Sequence, residues 1–159
     1  MSIEDQIGNA FADRRSANTE SAARRHAGLR AADSDRAVRD ELCARVVYPF
    51  AAEIGASFAR RGSGVTETRV AHDGLWSGVD VSYAVPGCRS PINAEIRVEA
   101  IEGKVRIHAS INGETRQGPE LSRDGFAREE TRADADRQVR AWLEAAVVGG
   151  VVARLRAVI

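Results

Sequence analysis

Between Trp76 and Ile111 apolar and polar residues alternate in three successive runs, and this pattern limits the fold more than any other feature of the chain. In "WSGVDVSYAV" (76–85), Val79, Val81, Tyr83 and Val85 stand against Gly78, Asp80, Ser82 and Ala84. In "INAEIRVEAI" (92–101), Ile92, Ala94, Ile96 and Val98 stand against Asn93, Glu95, Arg97 and Glu99. "VRIHASI" (105–111) sets Val105, Ile107, Ala109 and Ile111 against Arg106, His108 and Ser110. Successive side chains point to opposite faces of a strand, so each run predicts a strand with one apolar and one wet face. The short connections "PGCRSP" and "EGK" make them an antiparallel meander. "VTETRVAH" (65–72), ahead of an Asp73-Gly74 turn, predicts a weaker first strand, for three or four in total. "NGETRQGPELSRDG" (112–125) reads as a loop or the end of a fraying hairpin.

The apolar face of such a meander needs a cover, and the flanking sequence is helical. Val38, Leu42, Val46, Phe50, Ile54 and Phe58 recur every four residues, with Val47 and Ala51 widening the face. Asp33 or Ser34 can cap a fresh start. Pro49 predicts either a kink or a new helix beginning with proline in its first turn. "RRGSG" at 60–64 stops the run. Upstream, Ser2 and Asp5 suit a helix start, and Ile3, Ile7 and Phe11 form a narrow apolar stripe that thins to alanines plus Leu29. The expected fold class is therefore α+β. A long or bent N-terminal helix, or a helical hairpin, precedes the meander, and a C-terminal helix packs on the sheet. Residues 1–32 read as a helical extension and 33–159 as the α+β domain.

"AWLEAAVVGGVVARLRAVI" (141–159) admits three readings. Its uncharged run lasts only from Ala145 to Ala153, short of the roughly 20 residues of a bilayer span. Gly149-Gly150 between valines suits a hairpin turn, but "DRQVRAWLEAA" before it is strongly helical. The expectation is a helix, bent or straight at the glycines. At 100° per residue, Val139, Trp142, Leu143 and Ala146 share one side, while Val148, Val151, Val152, Leu155, Val158 and Ile159 lie more than a third of a turn away. Such a helix requires burial on two sides, against the sheet and against the Val38–Phe58 helix or a second subunit. Ala146, Gly150, Ala153 and Ala157 permit close approach.

Charge and composition narrow the functional classes. Basic and acidic residues balance at 23 each among 159 residues, and both signs are scattered throughout, which removes the electrostatic argument for nucleic acid or an anionic membrane. Arginine supplies every basic residue but Lys104, a bias that the alanine-rich composition attributes to genome composition. Arginine pairs such as Arg14-Arg15 and Arg24-Arg25 are interrupted by acids, as on a solvated helix face. Cys43 and Cys88 form no CxxC pair, and the acidic N-terminus carries no secretory h-region, so a reduced, cytoplasmic protein is expected.

Catalytic signals are sparse. His26, His72 and His108 stand too far apart for metal-ligand spacing, and neither "RRGSG" nor "GGVVAR" matches a phosphate-binding loop. His72-Asp73 reads as a solvated turn, Cys43 as a core residue, and Cys88 as a loop thiol beside Arg89. Asp80 is a further acid on the wet face. The best polar cluster is Glu95, Arg97, Arg106 and His108 on that face, where cross-strand charge pairing is the commoner role. The resulting expectation is a non-enzymatic interaction module, a small adaptor, regulatory or assembly protein, needing no cofactor. It binds another protein or a second copy of itself through Ile3, Ile7, Phe11 and Leu29 and through Val151 and Leu155. The alternative is a small-molecule site or small enzyme around His108.

Overall fold

The computed structural model describes residues 2–72 and 74–157. Asp73 of the turn candidate, and Val158 and Ile159 of the C-terminal apolar side, lie outside the described residues. The elements are α1 (Ile3–Leu42), a π turn (Cys43–Val47), α2 (Tyr48–Ala59), β1 (Gly64–His72), β2 (Trp76–Ala84), β3 (Ile92–Ile101), β4 (Lys104–Ile111) and β5 (Glu114–Ser122). A short 3-10 turn (Arg123–Phe126), α3 (Glu129–Leu143), a second π turn (Glu144–Val148) and α4 (Gly149–Ala157) complete them. The class is α+β. The chain divides into two units, Met1–Ser34 and Asp35–Ile159.

In the first unit α1 starts with a reciprocal cap: the Asp5 amide donates to Ser2 Oγ at 3.1 Å and the Ser2 amide to Asp5 Oδ2 at 3.3 Å. The fresh start expected at Asp33 or Ser34 does not occur, because α1 runs unbroken to Leu42, and with it the helical-hairpin alternative falls. Ser34 sits among helix-tolerant neighbours without proline or glycine to break the run.

The sheet of the second unit has five strands in the order β1-β2-β3-β4-β5, each pair antiparallel. The expected count of three or four was low because residues 114–122 form a strand and not a loop. Two residues, Gly118 and Pro119, face one across a register shift between Arg106 and His108, a bulge that breaks the alternation. Proline is tolerated there since β5 is an edge strand with no further ladder to donate to. Asn112 (φ 47°) and Gly113 (φ 88°) both adopt the left-handed region, as do Glu102 and Gly103, which is what two-residue hairpins require.

The core lies between the apolar sheet face and the two helical segments. Val79, Val81, Ile96, Val98, Ile107 and their neighbours meet Leu42, Val47 and Phe50 on one side and Val139, Leu143 and Val147 on the other, all buried. By length and composition the helical stretch Ile3–Ala59 reaches what a bilayer crossing needs, but its buried apolar residues Leu42, Cys43, Val46, Val47, Phe50 and Ala51 belong to this core. A polar group pins the end of α1 to the sheet: Ser77 Oγ donates to Asp40 Oδ1 at 2.9 Å, and Arg123 Nη1 lies 3.0 Å from Asp35 Oδ1.

Both covering helices carry apolar residues at four-residue spacing, which drifts about 40° per step around an ideal α-helix. A π turn inserts one residue and takes out about 100° of that drift. At Cys43–Val47 the Tyr48 amide donates to the Cys43 carbonyl just before Pro49, so the proline marks the start of α2. At Glu144–Val148 the same device brings Val147 and Val151 into line with Val139 and Leu143, and all four are buried. The placement of Val151 on a separate side is thereby corrected, the ideal-helix geometry having omitted the extra residue. Gly149-Gly150 opens α4, and a Cβ on Gly150 would lie 2.8 Å from Ile111 Cγ1, so this glycine seats the helix on the sheet.

Two glycine substitutions separate packing from propensity. A Cβ on Gly78 would be driven into the Ile96 carbonyl of β3, so Gly78→Ala should lower the unfolding free energy by roughly 3 kcal/mol. Nothing surrounds Gly28 in α1, where Gly28→Ala should raise helix content and add about 0.5–1 kcal/mol to helix stability. Urea unfolding followed by far-UV circular dichroism checks both.

Candidate functional site

The wet face of the sheet is organised around Arg97. Its strand neighbour across β2 is Gly78, whose missing side chain lets the arginine lie flat against the sheet. The guanidinium carbon stands 4.4 Å from the centre of the Trp76 ring, a cation–π distance. Nη2 reaches Asp80 Oδ1 at 2.6 Å, and Nη1 donates to the carbonyls of Ile96 (3.1 Å) and Val79 (3.3 Å). Glu95 is a weaker partner at 3.9 Å. His72 stacks on Trp76 with ring centres 5.9 Å apart. The arginine is therefore held from several sides.

His108 lies directly across from Arg97 in the β3–β4 register, but its Nε2 approaches Glu99 Oε1 at 3.4 Å. Ser110 Oγ is engaged with Thr115 Oγ1 at 2.7 Å. Arg106 belongs to a third group: its Nε donates to Glu120 Oε2 at 2.9 Å, with Lys104 Nζ 3.5 Å from the other oxygen. The Arg106 guanidinium holds the Glu120 carboxyl below its ordinary range. The four residues expected to form one cluster thus split. Arg97 and Glu95 go with Asp80 and Trp76, His108 goes with Glu99, and Arg106 goes with Glu120.

A hollow of about 440 Å³ opens on this face, lined by Trp76, Glu95, Arg97, Glu99, His108 and Ser110 together with Thr115 and Gln117 from β5. It offers a histidine–carboxylate contact at 3.4 Å and hydroxyls already bonded to each other. Trp76 escaped the sequence reading, although its parity with Gly78 and Asp80 in "WSGVD" puts it on the wet face. Among the described residues no group of three or more histidine, cysteine or acidic side chains could hold a metal ion. His26 is exposed on α1.

The second surface is helical. A groove of about 440 Å³ runs between α2 and α4, floored by Ile54, Phe58, Val148, Val151, Val152 and Leu155. Arg140 closes one end, donating to Glu53 at 2.6 Å and Glu144 at 3.0 Å, and its guanidinium lies 5.0 Å from the Phe50 ring centre. Arg61 stands at the rim, donating to the Ser57 carbonyl at 2.9 Å. Of the residues expected to meet a partner, Val151 is buried at the groove floor and Leu155 is half-buried, while Ile3, Ile7, Phe11 and Leu29 on α1 are all exposed.

Cys43 is fully buried and Cys88 half-buried, both with free thiols. Burial, reinforced by Asp40, pushes the Cys43 thiol up to about 12. Burial raises Tyr48 and Tyr83 as well. Each group stays protonated in the folded chain above the pH at which it ionises when unfolded. The stability it contributes is complete below that pH and declines as pH climbs towards the folded value. For Cys43 the window opens near its ordinary 9.0 and extends to about 12. Urea titrations from about pH 8 to about pH 11 should show stability falling with pH, and Cys43→Ala should make the decline shallower. In the native chain a thiol reagent should label Cys88 rapidly and Cys43 only on unfolding.

Compared with protein-family models, with curated proteins and with solved structures, the chain matches none.

Proposed function

We propose that this chain is a non-enzymatic protein-interaction module, a small adaptor, regulatory or assembly protein that docks through the apolar stripe of α1. One observation carries the reading. Every described residue from Ser2 to Ser34 is exposed apart from the half-buried Ala22, so Ile3 (77% exposed), Ile7 (53%), Phe11 (61%) and Leu29 (64%) stand in solvent. A helix gains most of its stability from burying an apolar face, and this unit buries none of its own. Burying Ile3, Ile7 and Phe11 against a partner is worth about 1.5–3 kcal/mol each, enough to drive association. The partner is another protein or a second copy of this chain, with no role for nucleic acid or membrane, and the unpaired thiols Cys43 and Cys88 support a reducing, cytoplasmic setting.

A second reading, a small-molecule or catalytic site, draws on the hollow beside His108 and Glu99. It is weaker because Arg97, the natural anchor for an anionic ligand, already has Trp76, Asp80 and two backbone carbonyls as partners.

Affinity capture of the tagged full-length chain, washed at low and at high salt, tests the first reading against an Ile7→Asp/Phe11→Asp variant. A stoichiometric protein, or an untagged copy of this chain, should survive high salt on the wild type and be lost from the variant. Equal recovery by both chains, or an empty eluate from a folded wild type, sinks the docking role and turns attention to the His108 face.

A further inference from the structure

The groove between α2 and α4 has a length and a charge pattern that fit one segment of this chain. The helix carrying α2 and the helix that continues from α3 through the second π turn into α4 run in the same direction: Arg45, just ahead of α2, meets Asp136 of α3, and Glu53 of α2 then meets Arg140 further along α3. At one end of the groove Glu53 (67% exposed) and Glu144 (58%) share Arg140, two carboxylates to one guanidinium, and so leave a net negative charge. The other end, where α2 and α4 finish, has Arg61 at the groove's rim, with Arg60, Arg154 and Arg156 close to it along the chain. The groove is thus apolar along its floor, acidic at one end and basic at the other.

The start of α1 mirrors that arrangement. Ile3, Ile7 and Phe11 span about 12 Å of helix, as does the groove wall from Glu53 to Arg61. At about 100° per residue Glu4 flanks the stripe at its beginning, and Arg14 falls on it one turn beyond Phe11. Laid antiparallel to α2 and α4, the helix puts Ile3, Ile7 and Phe11 over Phe58, Val151, Val152 and Leu155. Glu4 then reaches the arginine end, and Arg14 joins the Glu53–Arg140–Glu144 group as the second cation for its two carboxylates. The antiparallel sense also opposes the helix dipoles.

We infer that the chain self-associates by seating residues Ile3–Arg14 of one copy in the α2–α4 groove of a second. The inference rests on the docking role proposed above for the stripe and assigns its receptor. A reciprocal exchange closes a two-fold dimer, whereas a one-way exchange grows an open chain.

Sedimentation of the full chain across the micromolar range, with Glu4→Arg, Arg61→Glu and the doubly reversed chain, tests it. Wild type should associate with rising concentration, each single reversal should weaken association about fivefold, and the double reversal should restore most of the loss. Phe11→Asp should be monomeric with unchanged urea unfolding, since Phe11 is exposed. A wild type that stays monomeric throughout, or association indifferent to both single reversals, overturns the inference. If it falls while Ile7→Asp/Phe11→Asp still loses a captured protein, the stripe docks on a different partner. If capture is also unmoved, both readings fall together.

Discussion

Four-residue apolar spacing does not close on itself around an α-helix, and the way this mismatch is absorbed shapes most of the second unit. Left alone, the series Leu42, Val46, Phe50 and the series Val139, Leu143, Val147, Val151 would each wind away from the sheet within about three turns. One extra residue in each π turn returns them to it. Beyond the π turns the winding resumes, so Ile54 and Phe58 on α2 and Val152 and Leu155 on α4 end half-buried and turned towards each other. The groove is the residue of that geometry. It exists because two neighbouring helices depart from the sheet with the same periodicity.

How much of this could be read beforehand follows the strength of the local signal. Strands β3 and β4 bury their predicted faces residue for residue, and β2 buries Val79, Val81 and Tyr83, while Val85 falls past its end and is half-buried. Strand β5 was hidden by Gly118-Pro119, although Asn112-Gly113 ahead of it is among the strongest hairpin signals a sequence carries. The π turns left no mark in propensity, only in the persistent four-residue spacing. On the wet face parity identified the right residues, while the partners depended on register. Arg97 faces Gly78 and so folds onto Trp76, and Arg106 faces Glu120 and so turns away from His108. Register cannot be assigned from strands whose number is undercounted.

The two surfaces differ in what their side chains still offer. On the sheet, charges are matched across strands at close range, an arrangement that stiffens the face and leaves few free donors. Along α1 and the α2–α4 groove apolar side chains meet solvent, and Val148 is 38% exposed at the groove itself. Unburied apolar area is a stronger driver of association than screened surface charge, which is why the interaction reading is anchored in the helices.

The strictly sequential order of the five strands bears on how the chain assembles. Every strand pairs only with its neighbour in sequence, two of the connections being two-residue turns, so the meander closes short loops and can form early. Its cover comes from opposite ends: Arg45 and Asp136, which join the two helical segments, are 91 residues apart. During synthesis α2 and the sheet are made before α3 and α4, and part of the apolar face awaits those two helices. Translation of α3 and α4 is therefore the step that covers the rest of the apolar face, and a chain released short of them exposes a ready-made adhesive sheet.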